Sequence, residues 1–138
     1  MSKESLRVRD YMQTDIFTLP PDTGIMRAIY LLGEKDLSGM PVVDEENRLL
    51  GILTERDCIK TCLQSGYFDE ETGSVAEFMT PAPVTTVAPD DSLIDVAELF
   101  ANSRFRRCPV IEDGRLVGLI SRRDVMKALT EGAWFKND

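Results

Sequence analysis

The chain has 138 residues, with 24 acidic side chains against 16 basic ones, no histidine and a net charge of −8. That length suits one compact module able to bury about two thirds of its unfolded surface, and the acidic balance excludes a general nucleic-acid binder, because phosphate backbones attract basic surfaces. No stretch is apolar enough for long enough to span a bilayer and MSKESLRVRDYM lacks the apolar core of a signal peptide, so no membrane partner and a cytoplasmic location are expected.

In chain order, Val8-Arg9-Asp10-Tyr11-Met12 comes first and is answered by Val75-Ala76-Glu77-Phe78-Met79 at an offset of 67 (75 − 8). Ile16-Phe17-Thr18-Leu19 reads as a short strand. After Pro21-Asp22, apolar residues at Ile25, Ile29 and Leu32 have the i, i+4, i+7 spacing of one helical stripe, and Pro-Asp-Thr supplies a polar N-terminal cap. Met40-Pro41-Val42-Val43 predicts a buried strand, turned back by Asp44–Arg48 into Leu50-Gly51-Ile52-Leu53. A second helix is expected from Thr54, with Ile59 and Leu63 as its apolar face.

The same order then returns. Val84-Thr85-Thr86-Val87 predicts a strand, Pro89-Asp90-Asp91 a cap, and Leu93, Ala97 and Phe100 a helical stripe. Cys108-Pro109-Val110-Ile111 and Val117-Gly118-Leu119-Ile120 predict a second hairpin, closed by Asp113-Gly114, a strong signal for a tight turn. The last helix begins at Ser121, with Val125, Met126 and Leu129 as its apolar face. The fold class is therefore α/β (α+β), built from tandem β-α-β-β-α repeats at 8–65 and 75–130, with a linker at 66–74 and a tail at 131–138.

Cys58, Cys62 and Cys108 are an odd number at no disulfide-framework spacing, which points to reduced thiols. Cys58 and Cys62 stand four apart on one expected helix, but with no histidine in the chain no metal site is expected. Trp134-Phe135, beyond a helix stop at Gly132, either tucks onto the domain's own surface or enters a partner.

Met79-Thr80-Pro81, the Pro-Asp pairs, Pro-Val-Val or Pro-Val-Ile, the glycine before an apolar dipeptide, and the closing Thr-x-x-Asp or Ser-x-x-Asp together resemble the cystathionine-β-synthase (CBS) domain family. The resemblance covers about residues 8–130 and implies a pseudo-twofold CBS pair, or Bateman module, with two clefts between the copies and no attached catalytic domain. It also implies a homodimer and an unidentified regulated protein as partners.

Thr54-Glu55-Arg56-Asp57 and Ser121-Arg122-Arg123-Asp124 are the motifs closest to chemistry. As structure, each is a variant capping box, the aspartate reaching back to the cap. As function, a helix N-terminus offers free N–H groups and a positive dipole end to phosphate, and in CBS pairs that bind adenosine compounds the resemblance gives the aspartate the ribose. The copies differ in charge: residues 104–123 hold six arginines against Glu112 and Asp113, whereas 36–56 hold two against five acids. Surface ion pairing accounts for most such arginines, but Arg106 and Arg107 stand where copy one has Ser38-Gly39, and guanidinium groups bind phosphate by paired charge-assisted hydrogen bonds.

The resemblance thus implies a basic cleft of Arg106, Arg107, Ser121, Arg123 and Asp124 with Phe17, Thr18 and Leu37 against the base. A weaker mirror cleft would use Thr54, Asp57, Thr85, Thr86 and Phe105. Core packing is the ordinary role for Phe17, Leu37 and Phe105. The expected function is a regulatory sensor whose ligand is an adenine nucleotide (AMP, ADP or ATP), with S-adenosylmethionine as a further ligand to test and no catalytic cofactor. The alternative is a ligand-free dimerisation or protein-interaction module. An enzyme is disfavoured by the lack of histidine and of a glycine-rich phosphate loop.

Overall fold

The computed structural model describes residues 6–65 and 73–131. The chain divides into two packing units: one is Phe17–Val84, and the other joins the segment ending at Ile16 to the chain from Thr85 onward. These units do not coincide with the sequence repeats, because the opening segment of each repeat packs in the unit built by the other.

In the unit Phe17–Val84, α1 (Ile25–Glu34) leads into the antiparallel hairpin of β1 (Gly39–Val43) and β2 (Leu49–Thr54), followed by α2 (Glu55–Ser65), the single turn α3 (Val75–Phe78) and β3 (Thr80–Pro81). The strand order is β1-β2-β3, with Ile52 opposite Thr80. The cap of α1 expected from Pro21-Asp22-Thr23 does not form: the N-cap is Gly24, which has no side chain to close the first turn. The segment before α3 supplies the missing acceptor: Ile25 N–H donates to the Gly73 carbonyl at 3.0 Å, and Val75 N–H to that of Thr23 at 2.8 Å. The core is Leu19, Ile25, Ala28, Leu32, Met40, Val42, Leu53, Cys58 and Val75.

The second unit repeats the plan. A short 3₁₀ turn (Val8–Asp10) precedes α4 (Leu93–Ala101), β4 (Arg107–Glu112), β5 (Arg115–Ser121) and α5 (Arg122–Thr130). Here Leu93 N–H donates to the Leu6 carbonyl at 3.1 Å and Val8 N–H to that of Asp91 at 3.0 Å. Gln13 exchanges two backbone hydrogen bonds with Leu119, at 2.8 and 2.9 Å, so it takes the place of Thr80 in the other unit. The β4–β5 turn is Asp113-Gly114, with φ of 53° and 80°, the double positive φ of the expected tight hairpin. Leu6, Val8, Leu93, Val96, Phe100, Cys108, Val110, Ile120, Val125 and Ala128 form its core.

Three further expectations need correction. The strands predicted at 16–19 and 84–87 reduce to single bridges, Leu19 to Val42 and Val87 to Val110; the prolines at 20 and 21, and at 41 and 109 on the facing strands, lack the N–H groups that longer ladders need. The cap of α4 is Ser92, whose hydroxyl accepts from Ile94 N–H at 3.2 Å, while Asp91 accepts from Ala88 N–H in the preceding turn. Helix α2 buries Cys58 and Thr61, leaving Ile59 60% and Leu63 78% exposed, and α5 buries Val125 and Ala128 with Met126 outward. The capping boxes set the phase of both helices, and that phase turns small residues inward, where they allow close approach to the sheet.

Burial pushes the Cys58 and Cys108 thiols up to about 11, so both are poor nucleophiles at neutral pH, while Cys62 is exposed. No helix among the described residues is long and apolar enough to cross a membrane. Gly132 and Trp134-Phe135 lie outside the described residues, as does the 66–72 part of the linker.

Candidate functional site

The start of α5 is built from three pieces of chain. Ser121 is the N-cap: its hydroxyl accepts from Asp124 N–H at 3.2 Å, and Asp124 Oδ2 in turn accepts from Ser121 N–H at 2.8 Å and from the Ser121 hydroxyl at 2.9 Å. This is the capping box that the Ser-x-x-Asp spacing predicts. Arg107 opens β4 directly opposite Ser121, so the two side chains share one face of the hairpin. Arg106 is tied to the helix start by its carbonyl, which accepts from Arg122 N–H at 3.0 Å. Arg123 follows on the first turn, and Asp124 is half-buried there.

Charge is concentrated at this helix end. Among the described residues Arg104, Arg106, Arg107 and Arg123 enter no ion pair; the pairs formed are Arg9 with Asp90 and Glu112, Arg48 with Glu46, and Lys127 with Glu131. Arg122 is spent locally, donating to the Ser103 carbonyl at 2.9 Å. Surface pairing therefore does not absorb the guanidinium groups nearest the N-terminus of α5. Three N–H groups of that end are already taken, those of Ser121, Arg122 and Asp124, so it is the guanidinium groups together with the positive end of the helix dipole that make a cationic site suited to phosphate.

The other unit carries the same frame with less positive charge: Arg56 matches Arg123, but Glu55 stands where α5 has Arg122. Thr54 N–H donates to Asp57 Oδ2 at 3.0 Å and Asp57 N–H to the Thr54 hydroxyl at 3.1 Å. Gly39 lies opposite Thr54, and Glu55 N–H donates to the Ser38 carbonyl at 2.9 Å, so Ser38 and Gly39 occupy the positions of Arg106 and Arg107.

The structure thus brings Arg106, Arg107, Ser121, Arg123 and Asp124 together in one unit, and Thr54 with Asp57 in the other. Leu37 packs against the core of the unit Phe17–Val84, its ordinary role. Phe17 in that unit is 51% exposed, with the Lys35 ammonium 3.9 Å from its ring centroid. Thr18 is half-buried beside it. Thr85, Thr86 and Phe105 belong to the unit of Asp124 and are exposed, and the Thr85 carbonyl accepts from the Cys108 thiol at 3.4 Å. Among the described residues no group of three or more His, Cys, Asp or Glu side chains is placed to hold a metal ion.

Two residues at the site escaped the sequence reading. The Gln13 side-chain amide donates to Asp124, at 3.2 Å from Oδ1 and 3.4 Å from Oδ2. The Thr80 hydroxyl donates to Asp57 in the same way, at 3.2 and 3.3 Å. Their signal was the 67-residue offset itself (80 − 13), carried one step beyond Met12 and Met79.

Two units of one β-hairpin-and-helix plan, each with a capped helix start beside the head of its hairpin, define a tandem-repeat α/β module. A family model for the CBS domain matches residues 8–63 and 75–131, and the chain belongs to the CBS-domain family. It is 35% identical over 122 residues to the uncharacterized protein MJ1225 of Methanocaldococcus jannaschii, matching 88% of this chain but 42% of that protein, so it spans less than half of that relative. Among solved structures it resembles CBSX2 in complex with AMP (30% identity, TM-score 0.77, 91% of this chain and 96% of that one). It also resembles the CBS domain pair of MJ0100 in complex with 5-methylthioadenosine and S-adenosyl-L-methionine (26% identity, TM-score 0.75, 91% and 97%).

Proposed function

We propose that this chain is a regulatory module, not an enzyme, that binds an adenine nucleotide at the N-terminus of α5. Asp124 accepts from the ribose hydroxyls while Arg106, Arg107, Arg123 and the helix end hold the phosphate. The observation that carries this reading is the set of guanidinium groups beside the Ser121 cap that enter no ion pair among the described residues. The AMP complex of CBSX2 supports the nucleotide class. S-Adenosylmethionine, bound by MJ0100, carries a sulfonium cation that arginines repel, so the charge here favours AMP, ADP or ATP. The Thr54–Asp57 site, flanked by Ser38-Gly39, offers phosphate Arg56 alone, beside Glu55, and binds it more weakly.

The test is thermal unfolding and calorimetry of the protein with AMP, ADP, ATP, GMP and S-adenosylmethionine in turn. A nucleotide at a hundred times its Kd should add about 2.7 kcal/mol of stability, with the phosphorylated adenosines ahead of S-adenosylmethionine. No shift with any of them overturns the reading.

A second reading, association of two copies, is favoured by the apolar side chains that α2 and α5 turn outward, Ile59, Leu63 and Met126. Sedimentation equilibrium should give a dimer that Leu63→Glu converts to monomer. A monomer at all concentrations removes this reading without touching the first.

A further inference from the structure

We propose that Gln13 is a positioning residue for the ligand, holding the Asp124 carboxylate in the plane that a ribose diol requires; this rests on the reading of Asp124 as the ribose anchor. The capping box engages Oδ2 alone, through Ser121 N–H and the Ser121 hydroxyl. Among the described residues Oδ1 has one partner, the Gln13 amide at 3.2 Å, which also lies 3.4 Å from Oδ2 and so spans the carboxylate. Carboxylate torsions are soft, with no sharp staggered wells to fix them. A group bridging both oxygens supplies the missing restraint.

Gln13 is itself fixed. Its backbone is bonded to Leu119 in both directions, and Gly118 makes room for the crossing, since a Cβ there would stand 2.7 Å from the Gln13 carbonyl oxygen. The other unit reaches the same bridging geometry with a different residue, Thr80 across the two oxygens of Asp57. Two side chains of unlike length converging on one arrangement set it apart from an incidental surface contact.

The test uses the full chain with AMP and 2′-deoxy-AMP as probes, in calorimetry on the unsubstituted protein and on Gln13→Met, Gln13→Glu, Gln13→Thr and Asp124→Ala. Gln13 is exposed, so the unliganded melting temperature should move little. Gln13→Met, near-isosteric and without the amide, should weaken AMP binding by roughly tenfold, the scale of one hydrogen bond to a charged group, and should narrow the preference for AMP over the deoxynucleotide. Gln13→Glu, which sets like charges together, should lose more. Gln13→Thr, borrowing the other unit's solution, should stay near the unsubstituted protein. Unchanged affinity and ribose preference in Gln13→Met, with binding lost in Asp124→Ala, overturn the role of Gln13 alone. No AMP binding by the unsubstituted protein overturns the nucleotide reading and this role together.

Discussion

A nucleotide should no longer raise the melting temperature once Asp124 is replaced by alanine. Two effects add in this variant and are separable. The first is structural: Asp124 closes the capping box on Ser121, and losing a cap interaction costs about 1 kcal/mol of stability with or without ligand. The second falls on binding alone. Each hydrogen bond to a charged group contributes about 1.5–3 kcal/mol, so losing two from a ribose diol weakens affinity by on the order of a hundredfold or more. Asp57→Ala is the matched control, because Asp57 caps α2 through Thr54 in the same way but stands beside Ser38-Gly39. It should lose a similar amount of stability and keep the nucleotide shift. The reverse pattern, with the shift kept in Asp124→Ala and lost in Asp57→Ala, would move the phosphate site to the unit Phe17–Val84.

The second large effect is steric. Gly51 faces the strand crossing of β3, where an added Cβ would run into the Thr80 carbonyl oxygen and lie 2.8 Å from Met79 Sδ. A thioether can swing away, but a backbone oxygen held in the β2–β3 pairing cannot. Gly51→Ala should therefore cost about 3 kcal/mol, the upper end for overpacking, and lower the melting temperature by roughly 10 °C. Gly118→Ala meets the Gln13 carbonyl oxygen at 2.7 Å and Met12 Sδ at 3.1 Å, so it should be destabilising too. Only the second variant displaces Gln13, so only it should also weaken nucleotide binding. Unchanged melting temperatures in both would show that the straps yield and that these glycines are not required for room.

Much of this was legible in the sequence because the repeat fixes local structure twice. The Ser/Thr-x-x-Asp boxes, the Asp113-Gly114 turn and the contrast of Ser38-Gly39 with Arg106-Arg107 are all short-range patterns, and each became the geometry its spacing implies. What stayed hidden is long-range. Gln13 meets Asp124 across 111 residues, a pairing no local period encodes. The inward face of α2 was misread because apolarity favoured Ile59 and Leu63, whereas the cap at Thr54 sets the helix phase and brings Cys58 and Thr61 inside. The bridges at Leu19 and Val87 read as strands because β propensity counts side chains and not missing proline N–H groups.

The crossed packing of the opening segments also sets an order in time. A ribosome working from the N-terminus has delivered every piece of the unit Phe17–Val84 once Val84 has emerged. The earlier segment around Leu6, Val8 and Gln13 has by then nothing to pair with, since its partners run from Pro89 to Asp124. It must wait through the synthesis of most of the chain before its contacts can close, which gives that unit the longer loops and the slower assembly expected of distant pairings. The unit with the arginine-bearing helix end is thus the last to take shape.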